Sequence, residues 1–107
     1  MEVEQYQVVL VNLNPTRGSE IRKTRPCLVI SPNEINRNLR TVVVAPMTTA
    51  GKDYPTRVSI SPNERKGAAA LDQIRTIDKG RVIQVLGSIT ESEKERCKAL
   101  IKETFVD

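Results

Sequence analysis

Arg25 and Thr48 are the residues of this chain whose types and settings best suit chemistry. Arg25 directly precedes Pro26, and the proline ring pins the backbone at the start of an apolar run, PCLVIS (Pro26–Ser31). Thr48 and Thr49 leave the end of a second apolar run, TVVVAPM (Thr41–Met47). An arginine held at a fixed position braces two phosphate oxygens bidentately. A threonine hydroxyl beside it donates a further hydrogen bond to the same phosphate. A carboxylate of raised proton affinity would complete the set as a base. Such a set lacks a nucleophile, so it suits a substrate that brings one: RNA, whose 2′-OH attacks the adjacent phosphate. If the two apolar runs pair as strands, Arg25 and Thr48 flank one groove. On residue types alone, a solvated arginine and an ordinary turn threonine are the competing reading.

What is missing narrows the chemistry further. The chain has 107 residues and no histidine, which removes Ser/His and Cys/His nucleophilic pairs and most zinc sites. It holds no G-x-S-x-G elbow, P-loop or G-x-G-x-x-G. Its acids form no cluster suited to two-metal phosphoryl chemistry. Cys27 and Cys97 make no CxxC motif, and both are expected as buried thiols in a reducing compartment rather than as a disulfide. No metal and no cofactor is expected. No apolar run approaches the roughly 18 residues of a membrane span, and no signal peptide is recognised. A cytoplasmic protein with no membrane partner is the expectation.

The elements that must position these residues follow from hydrophobic period. Residues 7–13, QVVLVNL, read as a strand ended by Asn14-Pro15. Residues 14–25 form a polar loop, with Gly18 available for a turn. Pro26–Ser31 is an apolar strand buried on both faces, and residues 32–40 allow one short helical turn. Thr41–Met47 carries three consecutive valines and is the clearest strand, with Pro46 marking an edge or a bulge. A second loop, TTAGKDYP, leads to an alternating strand, Thr56–Ser61. Ala68–Thr76 and Arg81–Ile89 are two further strands joined by a turn at Asp78-Lys79-Gly80. The period then changes to helical. Thr90-Glu91-Ser92-Glu93 is a capping box, and Cys97, Leu100, Ile101, Thr104 and Phe105 form an amphipathic stripe. Five or six short strands and one terminal helix predict a mainly β, strongly bent small barrel in a single domain, 1–107.

Charge is spread unevenly. The formal net charge is +4, but residues 11–89 carry 13 cations against six acids, or +7. A basic body of this kind suggests a polyanion partner. Only three aromatics are present, Tyr6, Tyr54 and Phe105, so a second copy of the chain is expected to complete a thin core.

In this order, VNLNPTRGSEIRKTRPCLVISP, TVVVAPMTT, YPTRV and LDQIRTIDKGR resemble the MazF/PemK family, toxins of bacterial toxin–antitoxin pairs, over about residues 7–89. The resemblance implies an SH3-like barrel of the MazF/PemK/CcdB plasmid-maintenance type and a homodimer. It further implies metal-independent, sequence-specific cleavage of single-stranded RNA and a cognate acidic antitoxin. By this resemblance Arg25 and Thr48 are the catalytic pair, Glu20 lies beside them and helps to build the site, and Asp72 faces the RNA groove. Further residues expected to bind RNA are Arg17, Ser19, Arg22, Lys23, Thr49, Lys52 and Gln73. Tyr54 is either a base contact or a packed loop anchor. Two positions depart from one branch of the family: Ser19 replaces a histidine and Ala70 an arginine. The proton acceptor is therefore sought in Glu20 or Asp72. Arg75 and Asp78 are expected to join Asp72 in a structural ion-pair set.

Two other functions fit parts of this pattern. One is a non-catalytic, gyrase-inhibiting toxin of the same fold, which would have no use for the Arg25/Thr48 pair. The other is a non-enzymatic RNA-binding barrel, for which three scattered aromatics make a poor stacking platform.

Overall fold

The computed structural model describes residues 2–13, 24–48, 57–61 and 67–106. Seven strands and two helices are formed by them: β1 (Gln7–Asn12), β2 (Thr24–Val29), α1 (Asn33–Asn38), β3 (Thr41–Thr48), β4 (Arg57–Ile60), β5 (Gly67–Ala70), β6 (Arg75–Asp78), β7 (Val82–Ser88) and α2 (Glu91–Phe105). Pairing is antiparallel throughout, in the order β4-β5-β3-β2-β1-β7, with β6 also on β3. The mainly β architecture with a C-terminal helix is the one expected.

β-branched valines dominate the central strands because they pack well on a pleated surface. Their two-residue period divides the core in two. Val8 of β1, Leu28 of β2, and Ala45 and Met47 of β3 lie in one cluster with Val58, Ile60, Leu71 and Cys97. Their neighbours Val9 and Val11, Cys27 and Val29, and Val42 and Val44 lie in the other, with Ile77 and Val82. The centre of the sheet is thus buried on both faces, which explains the continuous apolar runs of β2 and β3. β7 curls around β1 through two register shifts, where Leu86 and Ile83 are the extra residues. Gly87, at the first shift, has φ of 153°, a conformation that favours glycine.

The helices are tied down by side chains that replace missing backbone partners. Asn36 of α1 is buried, accepts from the Ser31 hydroxyl, and donates from Nδ2 to the Ser31 carbonyl at 2.8 Å. The same Ser31 Oγ accepts the Val43 N–H at 3.0 Å, which docks α1 on β3. In α2 the capping box forms as expected: Glu93 N–H donates to Thr90 Oγ1 at 3.2 Å, and Thr90 N–H to Glu93 Oε1 at 2.8 Å. Glu93 also does something the motif did not announce. Its Oε2 accepts the Ser61 N–H at 3.0 Å, while Arg96 Nη2 donates to the Ser59 carbonyl at 3.1 Å. The helix thereby supplies β4 with the partners that a further strand would have supplied.

Three sequence expectations change. Ala68–Thr76 is not one strand: a 3₁₀ turn at Leu71–Gln73 separates β5 from β6, because the two pair with different parts of β3. Pro46 lies within a strand that is paired on both sides. Phe105 leaves the helical stripe and is 57% exposed, whereas Cys97 is fully buried and Leu100 and Ile101 are half-buried against the core.

Glu93→Ala removes a buried carboxylate that accepts two backbone N–H groups from other positions in the chain. Hydrogen bonds to charged groups contribute about 1.5–3 kcal/mol each, so the variant is expected to lose about 3 kcal/mol of stability. Urea titration checks this through a lowered midpoint at unchanged slope; an unchanged midpoint contradicts the double role.

Candidate active site

Arg25 sits near the start of β2 and Thr48 at the end of β3, as the strand assignments require. The β2–β3 register is Val29 opposite Val44, Leu28 opposite Ala45 and Cys27 opposite Pro46. Continued by two residues, it sets Arg25 opposite Thr48. Residues opposed in an antiparallel pair share a face, and alternation puts Arg25 and Thr48 on the face of Cys27, Val29, Val42 and Val44. On its other side Arg25 is opposite Val11 of β1, and Val11 is opposite Val82 of β7. The row that carries the cation and the hydroxyl therefore continues into a buried valine floor.

Thr48 Oγ1 is buried and has no hydrogen-bond partner among the described residues. Buried hydroxyls are ordinarily satisfied, and an orphan costs roughly 1–3 kcal/mol. Local packing explains how it is held. Thr48 is opposite Ala68 of β5, and Gly67 next to it admits the close approach of β5: a Cβ there would stand 2.8 Å from Met47 Cε and 3.3 Å from the Thr48 carbonyl oxygen.

Cys27, one row further along the same face and opposite Pro46, is fully buried. Burial pushes its thiol up to about 12, with Arg25 and then Arg75 pulling the other way. It is a neutral part of the floor rather than a nucleophile. Its Sγ donates to the Arg25 carbonyl at 3.6 Å, a weak contact that still steadies the backbone under the guanidinium.

Asp72 and Gln73 lie in the exposed 3₁₀ turn between β5 and β6. Asp72 does not join Arg75 and Asp78 in an ion-pair set. Its Oδ1 meets Arg57 Nε of β4 at 3.2 Å, while Asp78 Oδ1 accepts the Gly80 N–H at 2.7 Å. Arg75 has no ion pair among the described residues. Alternation along β2 and β3 thus sets Arg25 and Thr48 on one face, with Asp72 and Gln73 on the turn that follows β5. Arg17, Ser19, Glu20, Arg22, Lys23, Thr49, Lys52 and Tyr54 lie outside the described residues. Arg75 is the residue whose place the sequence reading misjudged. The signal available was its two-residue spacing from Ile77, which sets both on one face of a strand. Among the described residues, no group of three or more His, Cys, Asp or Glu is placed to hold a metal ion.

A family of PemK-like, MazF-like toxins of type II toxin–antitoxin systems matches residues 4–105. The endoribonuclease toxin MazF of Escherichia coli K12 is 35% identical over 95 residues, covering 88% of this chain and 86% of that one. Endoribonuclease EndoA of Bacillus subtilis is 39% identical over 88 residues, covering 77% and 76%. In fold, the chain is similar to MazF in a MazE–MazF crystal structure from Deinococcus radiodurans, with a TM-score of 0.84, 24% identity and coverage of 96% and 95%. It is also similar to a mycobacterial endoribonuclease solved with its cognate antitoxin, with a TM-score of 0.81, 24% identity and coverage of 94% and 92%.

Two outcomes are expected from this geometry. Thr48→Val keeps shape and removes the orphan hydroxyl, so stability should stay level or rise by about 1 kcal/mol; a fall of that size in chemical denaturation would mean that the hydroxyl is satisfied in the fold. The thiols give a pH dependence. Burial raises Cys27 from its ordinary value of 9.0 to about 12 and Cys97 to about 11. Above the ordinary value the unfolded chain loses these protons and the folded chain keeps them, so stability falls as pH rises beyond about 9. Native chain at pH 8 should resist alkylation at both cysteines, and denatured chain should not.

Proposed function

Because this chain belongs to the PemK-like, MazF-like toxin family of type II toxin–antitoxin systems, we propose that it is an endoribonuclease toxin cutting single-stranded RNA, mRNA above all, through Arg25 and Thr48. The observation that carries the reading is the buried Thr48 hydroxyl, without a hydrogen-bond partner among the described residues, on the face that alternation also gives Arg25. The RNA 2′-oxygen forms a bond to the adjacent phosphorus as the bond from phosphorus to the 5′-oxygen breaks. Arg25 balances the charge that builds on the phosphate, and Thr48 donates to one of its oxygens. The 2′ proton passes to a base and the departing 5′-oxygen takes up a proton, leaving a 5′-OH and a 2′,3′-cyclic phosphate, or a 3′-phosphate where water then opens the ring. Glu20 is the proposed base. Asp72, engaged by Arg57, holds the edge of the groove with Gln73. Arg17, Ser19, Arg22, Lys23, Thr49 and Lys52 are proposed to bind the RNA strand.

The same reading proposes a cytoplasmic homodimer. It also proposes an acidic, MazE-like antitoxin segment that occupies the basic groove and folds as it binds. The basic central segment and the thin core support both. Among the described residues no helix is long and apolar enough to cross a membrane.

Incubation of labelled single-stranded RNA with the chain in EDTA tests the proposal. Fragments with 5′-OH ends are expected, and Arg25→Ala should lower the rate on the order of 10²–10³-fold with an unchanged melting curve. A mobility shift without fragments would replace the proposal with an RNA-binding barrel, and neither shift nor fragments with a toxin that acts by binding another target.

A further inference from the structure

Arg75 begins β6, directly opposite Val44 of β3, and Val44 is itself opposite Val29 of β2. Arg75 therefore shares the face of Val44, Cys27, Arg25 and Thr48. The pairing two residues on, Ile77 opposite Val42, buries both side chains in the cluster of that same face. Ile74, one residue before, packs against the opposite cluster. One row, Cys27 with Pro46, separates Arg75 from the Arg25–Thr48 row. The two arginines thus stand at opposite corners of one patch with a buried thiol between them.

The neighbouring carboxylates leave this guanidinium alone. Asp72, three residues before it, turns to Arg57, and Asp78, three residues after it, turns to the Gly80 N–H. Arg75 is exposed, and no ion pair or hydrogen bond engages its side chain among the described residues. Both Arg25 and Arg75 act electrostatically on the Cys27 thiol, so both charges lie close to it. Two like charges over one apolar floor repel each other, and the arrangement is stabilised when an anion with more than one charged group spans them.

We infer that Arg75 binds the RNA phosphate next to the one held by Arg25 and Thr48, so that the site grips two successive phosphates. This rests on the proposed RNA cleavage. Arg25 acts where the bond breaks, and Arg75 fixes the strand so that this bond arrives in place. Arg75 is a substrate-binding residue, and its removal raises KM more than it lowers kcat.

The test begins with wild-type chain and an RNA oligomer that it cleaves; failure of that cleavage sinks the underlying reading, not this one. A 2′-O-methyl copy of the same oligomer then serves as a non-cleavable probe across a range of salt. Arg75→Gln is expected to weaken binding about tenfold and to flatten the slope of log affinity against log salt by about 0.7, the release of one phosphate contact on a single strand. Arg75→Lys should recover most of the slope, because it restores the charge. Arg40→Gln removes an exposed cation beside the far end of β3 and controls for bulk charge. Unchanged affinity and slope in Arg75→Gln, or an equal loss in Arg40→Gln, would overturn the inference. So would a lowered melting temperature in Arg75→Gln with the salt slope intact, since that marks a purely structural role.

Discussion

β3 has eight residues and three strand neighbours, and the place where it exchanges one neighbour for another is Pro46. Ile30 N–H donates to the Val43 carbonyl at 2.8 Å, so odd-numbered residues of β3 turn their peptide groups toward the β2 side. Even-numbered residues turn the other way. On that second edge β6 pairs with residues 41–44 and β5 with residues 47 and 48. Pro46 faces the same edge between them and has no N–H to leave unsatisfied. A proline inside a doubly paired strand is normally a defect; here it stands where no ladder bond is due. The 3₁₀ turn that joins β5 to β6 lies along this interval. The split of the second edge lets one strand serve both halves of the sheet, and Thr48 at its end lies on the face that also carries Arg25.

The site inherits its physical character from that arrangement. Its floor is made of valines and a neutral thiol buried on both sides by sheet. Charges over such a floor are screened less than charges in water, so a guanidinium and a hydroxyl act on a phosphate more strongly than the same groups on a wet loop. Rigid strands rather than loops hold the two groups, so neither has to be ordered when a substrate arrives.

Much of this was legible in the residues. Three valines in a row and an arginine locked against a proline located β2, β3 and the two groups between them. The capping box located α2 to the residue, because its reciprocal hydrogen bonds are local. The division of Ala68–Thr76 was not legible, since a strand that changes partners halfway has the same composition as one that does not. Nor was the second task of Glu93, because nothing in a local motif says that Ser61 will come to rest beside it. Arg75 was misjudged for the same reason. Asp78 lies three residues along β6 and so on the other face, and Asp72 lies in the preceding 3₁₀ turn, where it meets Arg57.

The pairing order ends at β4 and β7, and the two ends are finished differently. β4 is covered by Glu93 and Arg96 of α2. β7 has no strand beyond it among the described residues, but two register shifts interrupt its seven residues. An open strand edge is a template for copies of itself, and a regular one recruits neighbours into growing sheets. A second chain laid along β7 would meet a bulge before its ladder was established, and at β4 it would have to displace two charged side chains. Both ends of this strand order therefore oppose edge-to-edge pairing with a copy of the chain.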